Sequence, residues 1–238
     1  YFPETKHYDI DRLLEQKGWG EDREMYLLWS ARMIDWKHPE LAVETARYLK
    51  EKGYSFHMDI IGGGTMEDEV RALAEKYDLG ACVGFPGFLK PEQVREYMEK
   101  ADIFLFTSDR QEGWGAVANE AMNSGCALVA DHMIGAIPYL VQDGVDGLIY
   151  KDGNRDELFT LAERLVCDRE LCRRLGRRAY AKITESWNAE NAARRLVELC
   201  RELGLLGEEV KGDHKAEAAD TGSPMPGAPA AAIPERKM

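Results

Sequence analysis

Glu112 and Glu120 have seven residues between them and enclose the glycine-rich run Gly113, Trp114, Gly115, Ala116, Val117. A helix from about Ala116 to Asn123 should begin where these glycines stand. Its first N–H groups lack intrahelical partners, and the missing Cβ atoms let an anion approach closely, so the run can serve as a phosphate site. It can equally be an ordinary Gly-rich loop that caps a helix. Glu112 precedes the helix and Glu120 lies a turn inside it, so the two carboxylates do not share one face and suit two separate tasks on an elongated ligand. Glu120 can accept hydrogen bonds from ribose hydroxyls, and Glu112 from a sugar ring beyond a diphosphate. An acid in the first turns of a helix is also favoured by the helix dipole without any ligand, which is the plainer reading of Glu120 taken alone.

Arg32 and Lys37 follow the apolar run Tyr26 to Ser30 and place two cations at the mouth of a crevice in an acidic chain. Negative charge builds on a departing nucleoside diphosphate, and fixed cations there would stabilise it, each contributing on the order of 3 kcal/mol. The alternatives are a solvated Lys37 at a helix start and an Arg32 that pairs with Asp35. The glycines Gly62, Gly63 and Gly64 are followed by Thr65-Met66-Glu67, without the third glycine of a dinucleotide fingerprint, and read better as a turn passing close to a nucleotide. Asp9-Ile10-Asp11 imitates a DxD metal motif, but no hydrophobic strand precedes it, and Asp11 reads as a helix cap.

These residues need a scaffold. Short apolar runs at Tyr26 to Ser30, Phe56 to Ile61, Cys82 to Phe85, Ile103 to Thr107, Ala127 to Ala130 and Gly147 to Tyr150 alternate with helical patterns at Pro39 to Lys52, Glu67 to Tyr77 and Pro91 to Lys100. That alternation predicts an α/β, Rossmann-like parallel sheet with helices on both faces. Ligands of such sheets sit beyond the carboxyl ends of the strands, where Arg32, Lys37, the Gly62 turn and the Glu112 loop all fall. A helical C-terminal segment follows at Arg155 to Cys167, Arg169 to Glu185 and Ala189 to Leu203. The division expected is 1–24 as a linker or domain edge with no clear period, 25–203 as the Rossmann-like domain, and 204–238, rich in Gly, Pro, Ala and charge, as a disordered tail.

The whole chain has 238 residues and a formal net charge of -12, which argues against broad contact with nucleic acid. No apolar stretch approaches the roughly 20 residues of a membrane span. Five cysteines without a CxxC pair read as reduced thiols, and five histidines without HxH or HxxxH spacing suggest no metal cage. The absence of an initiator Met at Tyr1 suggests an excised or processed piece.

Taken together, WSARMIDWKHPEL, DIIGGG, ADIFLFTS and EGWGAVANEAMNSG resemble glycosyltransferase family 4, retaining enzymes of the GT-B fold that use nucleotide-activated sugars; the match spans roughly Tyr26 to Leu203. The resemblance implies a C-terminal donor-binding domain with Arg32 and Lys37 on the diphosphate and Glu112 on the donor-sugar hydroxyls. It implies that Gly113, Trp114, Gly115, Ala116 and Val117 meet phosphate and sugar through backbone N–H groups, that Glu120 holds the ribose, and that Phe88, Leu89 and Lys90 meet the base. IGAIPYLVQDGVDGLIY is similar to a later family segment, with Ala136 in place of a second glycine and Tyr139 in place of the usual acid. No bound metal or other cofactor is implied. The implied partners are a nucleotide sugar, an N-terminal acceptor-binding domain not in this sequence, and a sugar or lipid-linked acceptor. The implied location is the cytoplasm, with peripheral association at the inner membrane face through the missing half. Alternatives within the fold are a nucleotide-sugar epimerase or a phosphorylase, and outside catalysis a binding or scaffold module.

Overall fold

The computed structural model describes residues 5–17 and 23–205. Six strands, β1 (Met25–Ser30), β2 (Phe56–Ile61), β3 (Val83–Gly87), β4 (Ile103–Phe106), β5 (Ala127–Asp131) and β6 (Leu148–Tyr150), form one sheet. The order is β3-β2-β1-β4-β5-β6 and every pairing is parallel. Strands buried on both faces should be apolar at successive positions rather than at alternate ones. Ile103–Phe106 (IFLF) is such a run, with no side chain more than 3% exposed.

Alternate side chains of each strand enter opposite layers. Leu27 and Trp29 of β1 pack with α2 (Pro39–Glu51), α3 (Glu67–Lys76) and α7 (Arg155–Cys167) through Leu41, Val70 and Leu158. Leu28 and Phe104 pack with α4 (Pro91–Lys100), α5 (Ala116–Asn123) and α6 (Ile137–Leu140) through Met98, Met122 and Ile137. The expected sheet with helices on both faces is what the chain forms. The strand order reverses direction between β1 and β4, so their carboxyl ends diverge into a crevice at the centre of the sheet.

The start of the chain departs from expectation. Residues 10–16 form a helix, α1 (Ile10–Gln16), with Leu13 and Leu14 buried. Asp9, not Asp11, is its cap, accepting from the Arg12 N–H at 3.1 Å; Asp11 instead pairs with Arg177 of α8 (Arg169–Glu185). Seven residues make too little periodicity to stand out, and Asp9 at the N-cap satisfies an orphan amide as Asp11 would have. Of the two readings of 1–24, residues 5–17 fit a domain edge packed on the body better than a linker. At the other end α9 (Ala189–Glu202) buries no residue, and Leu196, Leu199 and Leu203 are exposed. The expected tail lies outside the described residues except for Gly204 and Leu205.

Candidate functional site

The crevice is built from residues 31–38 after β1 and 107–115 after β4. Beyond Ser30 the chain keeps its tie to the β2 side, Ala31 donating to Ile61 O at 3.2 Å and Met33 to Gly63 O at 2.9 Å. This contact explains two of the three glycines. A Cβ on Gly62 would stand 1.9 Å from Ala31 O, and one on Gly64 2.4 Å from Met33 O. Their missing side chains make room for the neighbouring main chain, so the turn needs no nucleotide to account for them.

Asp35–Lys37 then form a 3₁₀ turn, and His38 takes a left-handed conformation (φ 49°) before Pro39 starts α2. The turn delivers Lys37 Nζ to the Glu112 carboxylate, and the two side chains are only 11% and 12% exposed. Lys37 Nζ also lies 4.3 Å from the centre of the Trp36 ring, which the Arg32 guanidinium approaches at 6.0 Å. Arg32 forms no ion pair with Asp35 among the described residues; the Asp35 carboxylate accepts from the Trp36 N–H at 2.8 Å. Burial and the Arg32 charge depress the Lys37 ammonium to about 8, while the Glu112 carboxylate pulls the other way.

Thr107 fastens the two loops together. Its hydroxyl accepts from Trp29 Nε1 at 2.8 Å and can donate to Lys37 O at 2.8 Å or His38 O at 3.0 Å. The Asp109 N–H donates to Trp36 O at 3.0 Å, and the Glu112 N–H to Asp109 O at 3.0 Å. Thus the backbone that carries Lys37 and the backbone that carries Glu112 are hydrogen-bonded to one another.

Gly115 caps α5 in the left-handed region (φ 84°), offering no side chain to the helix start. Ala116 and Val117 occupy the first helical positions, where N–H groups have no carbonyl one turn earlier to bind. The loop is backed by the turn after β5. Gly135 donates to Glu112 O at 3.0 Å and Ala136 to Trp114 O at 3.3 Å, and a Cβ on Gly135 would fall 1.9 Å from Gly113 O. Gly113 differs from its neighbours, because a Cβ there would meet nothing within 4 Å. Its lack of a side chain leaves open space in front of the loop.

Glu120 lies apart from Glu112, as their placement before and within the helix requires. It lines a cavity of about 490 Å³ together with Trp114, Ala116, Arg95, Trp187 and Arg195. The Trp114 and Trp187 rings approach to 5.4 Å between centroids, and Trp114 Nε1 donates to Asn119 Oδ1 at 3.0 Å. Phe88, Leu89 and Lys90 follow the edge strand β3, two strands away from β1. Phe88 is 85% exposed, Leu89 packs into the layer of Phe104 and Phe106, and the Lys90 N–H at the start of α4 donates to Gln93 Oε1. The structure therefore unites Arg32, Lys37 and Glu112 at the crevice and Trp114, Ala116 and Glu120 at the cavity, with the base-loop residues set to one side. Trp36, His38, Thr107 and Asp109 were not singled out from sequence; a histidine before a proline, directly after a candidate cation, was the one visible sign. Among the described residues, no group of three or more His, Cys, Asp or Glu could hold a metal ion.

Residues 9–182 match the protein family described as Glycosyl transferases group 1. An amylovoran biosynthesis glycosyltransferase, AmsK of Erwinia amylovora, is 31% identical over 182 residues, covering 74% of this chain and 44% of the relative. The alpha-D-kanosaminyltransferase of Streptomyces kanamyceticus is 26% identical over 190 residues, covering 80% and 49%. The chain thus spans about half the length of the curated relatives it matches. Among solved structures, TarM of S. aureus, in a complex with UDP, superposes with a TM-score of 0.67 at 22% identity, over 83% of this chain and 37% of TarM. The C-terminal domain of the group 1 protein LpcC from Francisella tularensis superposes with a TM-score of 0.65 at 20% identity, over 79% of this chain and 96% of that domain. On the evidence of the family match over residues 9–182, the chain belongs to the glycosyl transferases group 1 family, and it shares the fold of GT-B glycosyltransferases.

Proposed function

We propose that the chain is the donor-binding half of a retaining glycosyltransferase, which transfers a hexose-type sugar from a nucleoside diphosphate to a glycan, lipid or other acceptor. The observation that carries this reading is the Lys37–Glu112 contact at the switch point of the sheet, next to the first amides of α5. A cation, a carboxylate and free backbone donors meet there in a partly desolvated crevice. Lys37 and Arg32 face the diphosphate and stabilise the charge that grows on it as the glycosidic bond breaks; the amides at Ala116 and Val117 add neutral donors. Glu112 exchanges its contact with Lys37 for the hydroxyls of the donor sugar, and Glu120 accepts from the ribose. The base meets residues at Phe88–Lys90.

The retaining outcome and the membership of family 4 rest on the resemblance of the EGWGAVANEAMNSG segment. The biosynthetic role of the amylovoran relative supports a part in polysaccharide biosynthesis; the cytoplasmic face of a membrane and an acceptor held by a further N-terminal domain rest on the resemblance alone. Two cations supply what a divalent metal would, so binding proceeds without one. Calorimetric titration with UDP, GDP and ADP in the presence of EDTA tests this: one nucleotide binds saturably and Glu120→Ala weakens it about tenfold, as loss of a charge-assisted hydrogen bond does. Absence of saturable heat with all three nucleotides overturns the reading.

A further inference from the structure

Both ring nitrogens of His38 face carboxylates. Nδ1 lies 3.0 Å from Glu40 Oε1, and Nε2 lies 3.5 Å from Asp109 Oδ2. A neutral imidazole has one N–H and one lone pair, so it can donate to only one of these; attraction to both, a hydrogen bond to Glu40 and an ion-pair contact with Asp109, needs the imidazolium. Glu40 Oε2 is buried with no hydrogen-bond partner, so that carboxylate is compensated by the ring it touches. His38 also holds a left-handed backbone (φ 49°), an uncommon state for a residue with a Cβ, at the position directly after Lys37. The three features converge on one turn.

We propose that His38 is a positioning residue of the donor site: its imidazolium clamps Glu40 of α2 to Asp109 of the loop after β4, and so holds the turn that presents Lys37 to the crevice. The proposal rests on the donor-binding reading of Lys37. Asp109 is well placed for the task, because its own N–H and C=O already bond Trp36 and Glu112. The clamp ties the two loops on one side while Lys37 and Glu112 meet on the other.

The surrounding charges fit. The charged residues lining a cavity of about 600 Å³ are His38, Glu40, Asp109, Arg110, Asp131, Asp152 and Arg155. Arg155 is engaged by Glu44 at 2.9 Å, and Asp131 accepts the N–H groups of Met133 and Gly153. Glu40 and Asp109 are thus the carboxylates in contact with the ring. The hydrogen bond to Glu40 holds the His38 imidazole above its ordinary value against the effect of burial, and Asp109 adds to it. A base whose folded value is raised keeps its charged contacts at low pH and loses them as pH rises through that value.

The experiment compares wild-type protein with His38→Asn, which tolerates the left-handed turn but carries no charge, and with Asp109→Asn, each checked for an unchanged far-ultraviolet spectrum. Imidazole NMR titration and nucleoside diphosphate affinity are measured on all three from about pH 6 to pH 9. Taking the ratio of wild-type to variant affinity cancels the ionisation of the ligand. The His38 resonance is expected to titrate above the ordinary imidazole value in wild type and to fall in Asp109→Asn. The affinity ratio for His38→Asn is expected to be roughly tenfold at the acid end, the effect of losing charge-assisted hydrogen bonds, and to approach one as His38 deprotonates. A ratio of one throughout, or a His38 resonance indifferent to Asp109, overturns the clamp. If wild type binds no nucleotide, the donor reading fails on its own, and the NMR titration still decides whether His38 bridges the two carboxylates.

Discussion

Lys37 combines a buried ammonium, a neighbouring guanidinium and a carboxylate in contact, and these pull its charge in different directions. Its folded value of about 8 lies below the 10.5 of an ordinary lysine. An unfolded chain therefore binds this proton more tightly, so the apo protein carries a penalty below about pH 8 that is relieved as pH rises toward 10.5. Ligand binding has the opposite sign, because a diphosphate favours the charged amine. Nucleotide affinity should fall by up to tenfold per pH unit above about 8, with uptake of a proton, and Lys37→Ala should bind weakly with a flat profile over that range. Calorimetry in buffers of different ionisation enthalpy reads both quantities, and affinity that rises from pH 8 to 9 would exclude Lys37 as a phosphate contact. Arg32, Lys37 and Glu112 were legible in the sequence because each follows an apolar run that can only be a strand. Thr107 and Asp109 were not, since their part is to bond main-chain atoms of a loop some seventy residues away, and only the folded sheet shows which loops meet.

At the scale of elements, the loop after β4 and the turn that backs it hold Gly115 and Gly135, which the fold needs, and Gly113, which it does not. Gly135→Ala places a methyl 1.9 Å from Gly113 O, so the loop after β4 must move; the expected cost is roughly 1–3 kcal/mol of stability together with loss of nucleotide affinity. Gly113→Ala meets nothing within 4 Å and should melt like wild type while binding more weakly, because its methyl occupies the open space the ligand uses. Thermal melts paired with titrations separate the two; a Gly113→Ala protein with unaltered affinity would show that no ligand passes that point. Strand positions and the longer helices could be read from periodicity almost to the residue, Pro91–Lys100 and Arg169–Glu185 among them. The short helix α6, four residues long, escaped, and seven-residue α1 showed only as a cap placed two residues late, at Asp11 instead of Asp9. For the Gly62 turn a sequence shows that a side chain is missing, but not whether a ligand or a neighbouring backbone fills the room.

Over the whole molecule, α1 closes the lower side of the domain although it lies outside the repeating βα pattern. Leu14 is fully buried and Lys17 is 2% exposed, its ammonium donating to Met98 O at 3.2 Å and to Ala101 O. Leu14→Ala should cost about 2–5 kcal/mol in denaturant unfolding while leaving nucleotide affinity intact in the folded population; a cost below ~1 kcal/mol would mean that α1 is only loosely docked. The adjacency of β1 and β4 has a consequence for the order of events during synthesis. Strands β1, β2 and β3 emerge from the ribosome as a contiguous edge, yet the central position next to β1 stays empty until Ile103–Phe106 arrives, and the Glu112 loop has no backing until Gly135 follows it. A nascent chain would thus carry Arg32 and Lys37 as a basic mouth without Glu112 while roughly the next seventy residues are made, and ligand affinity would appear late and in one step, when β4 and β5 insert.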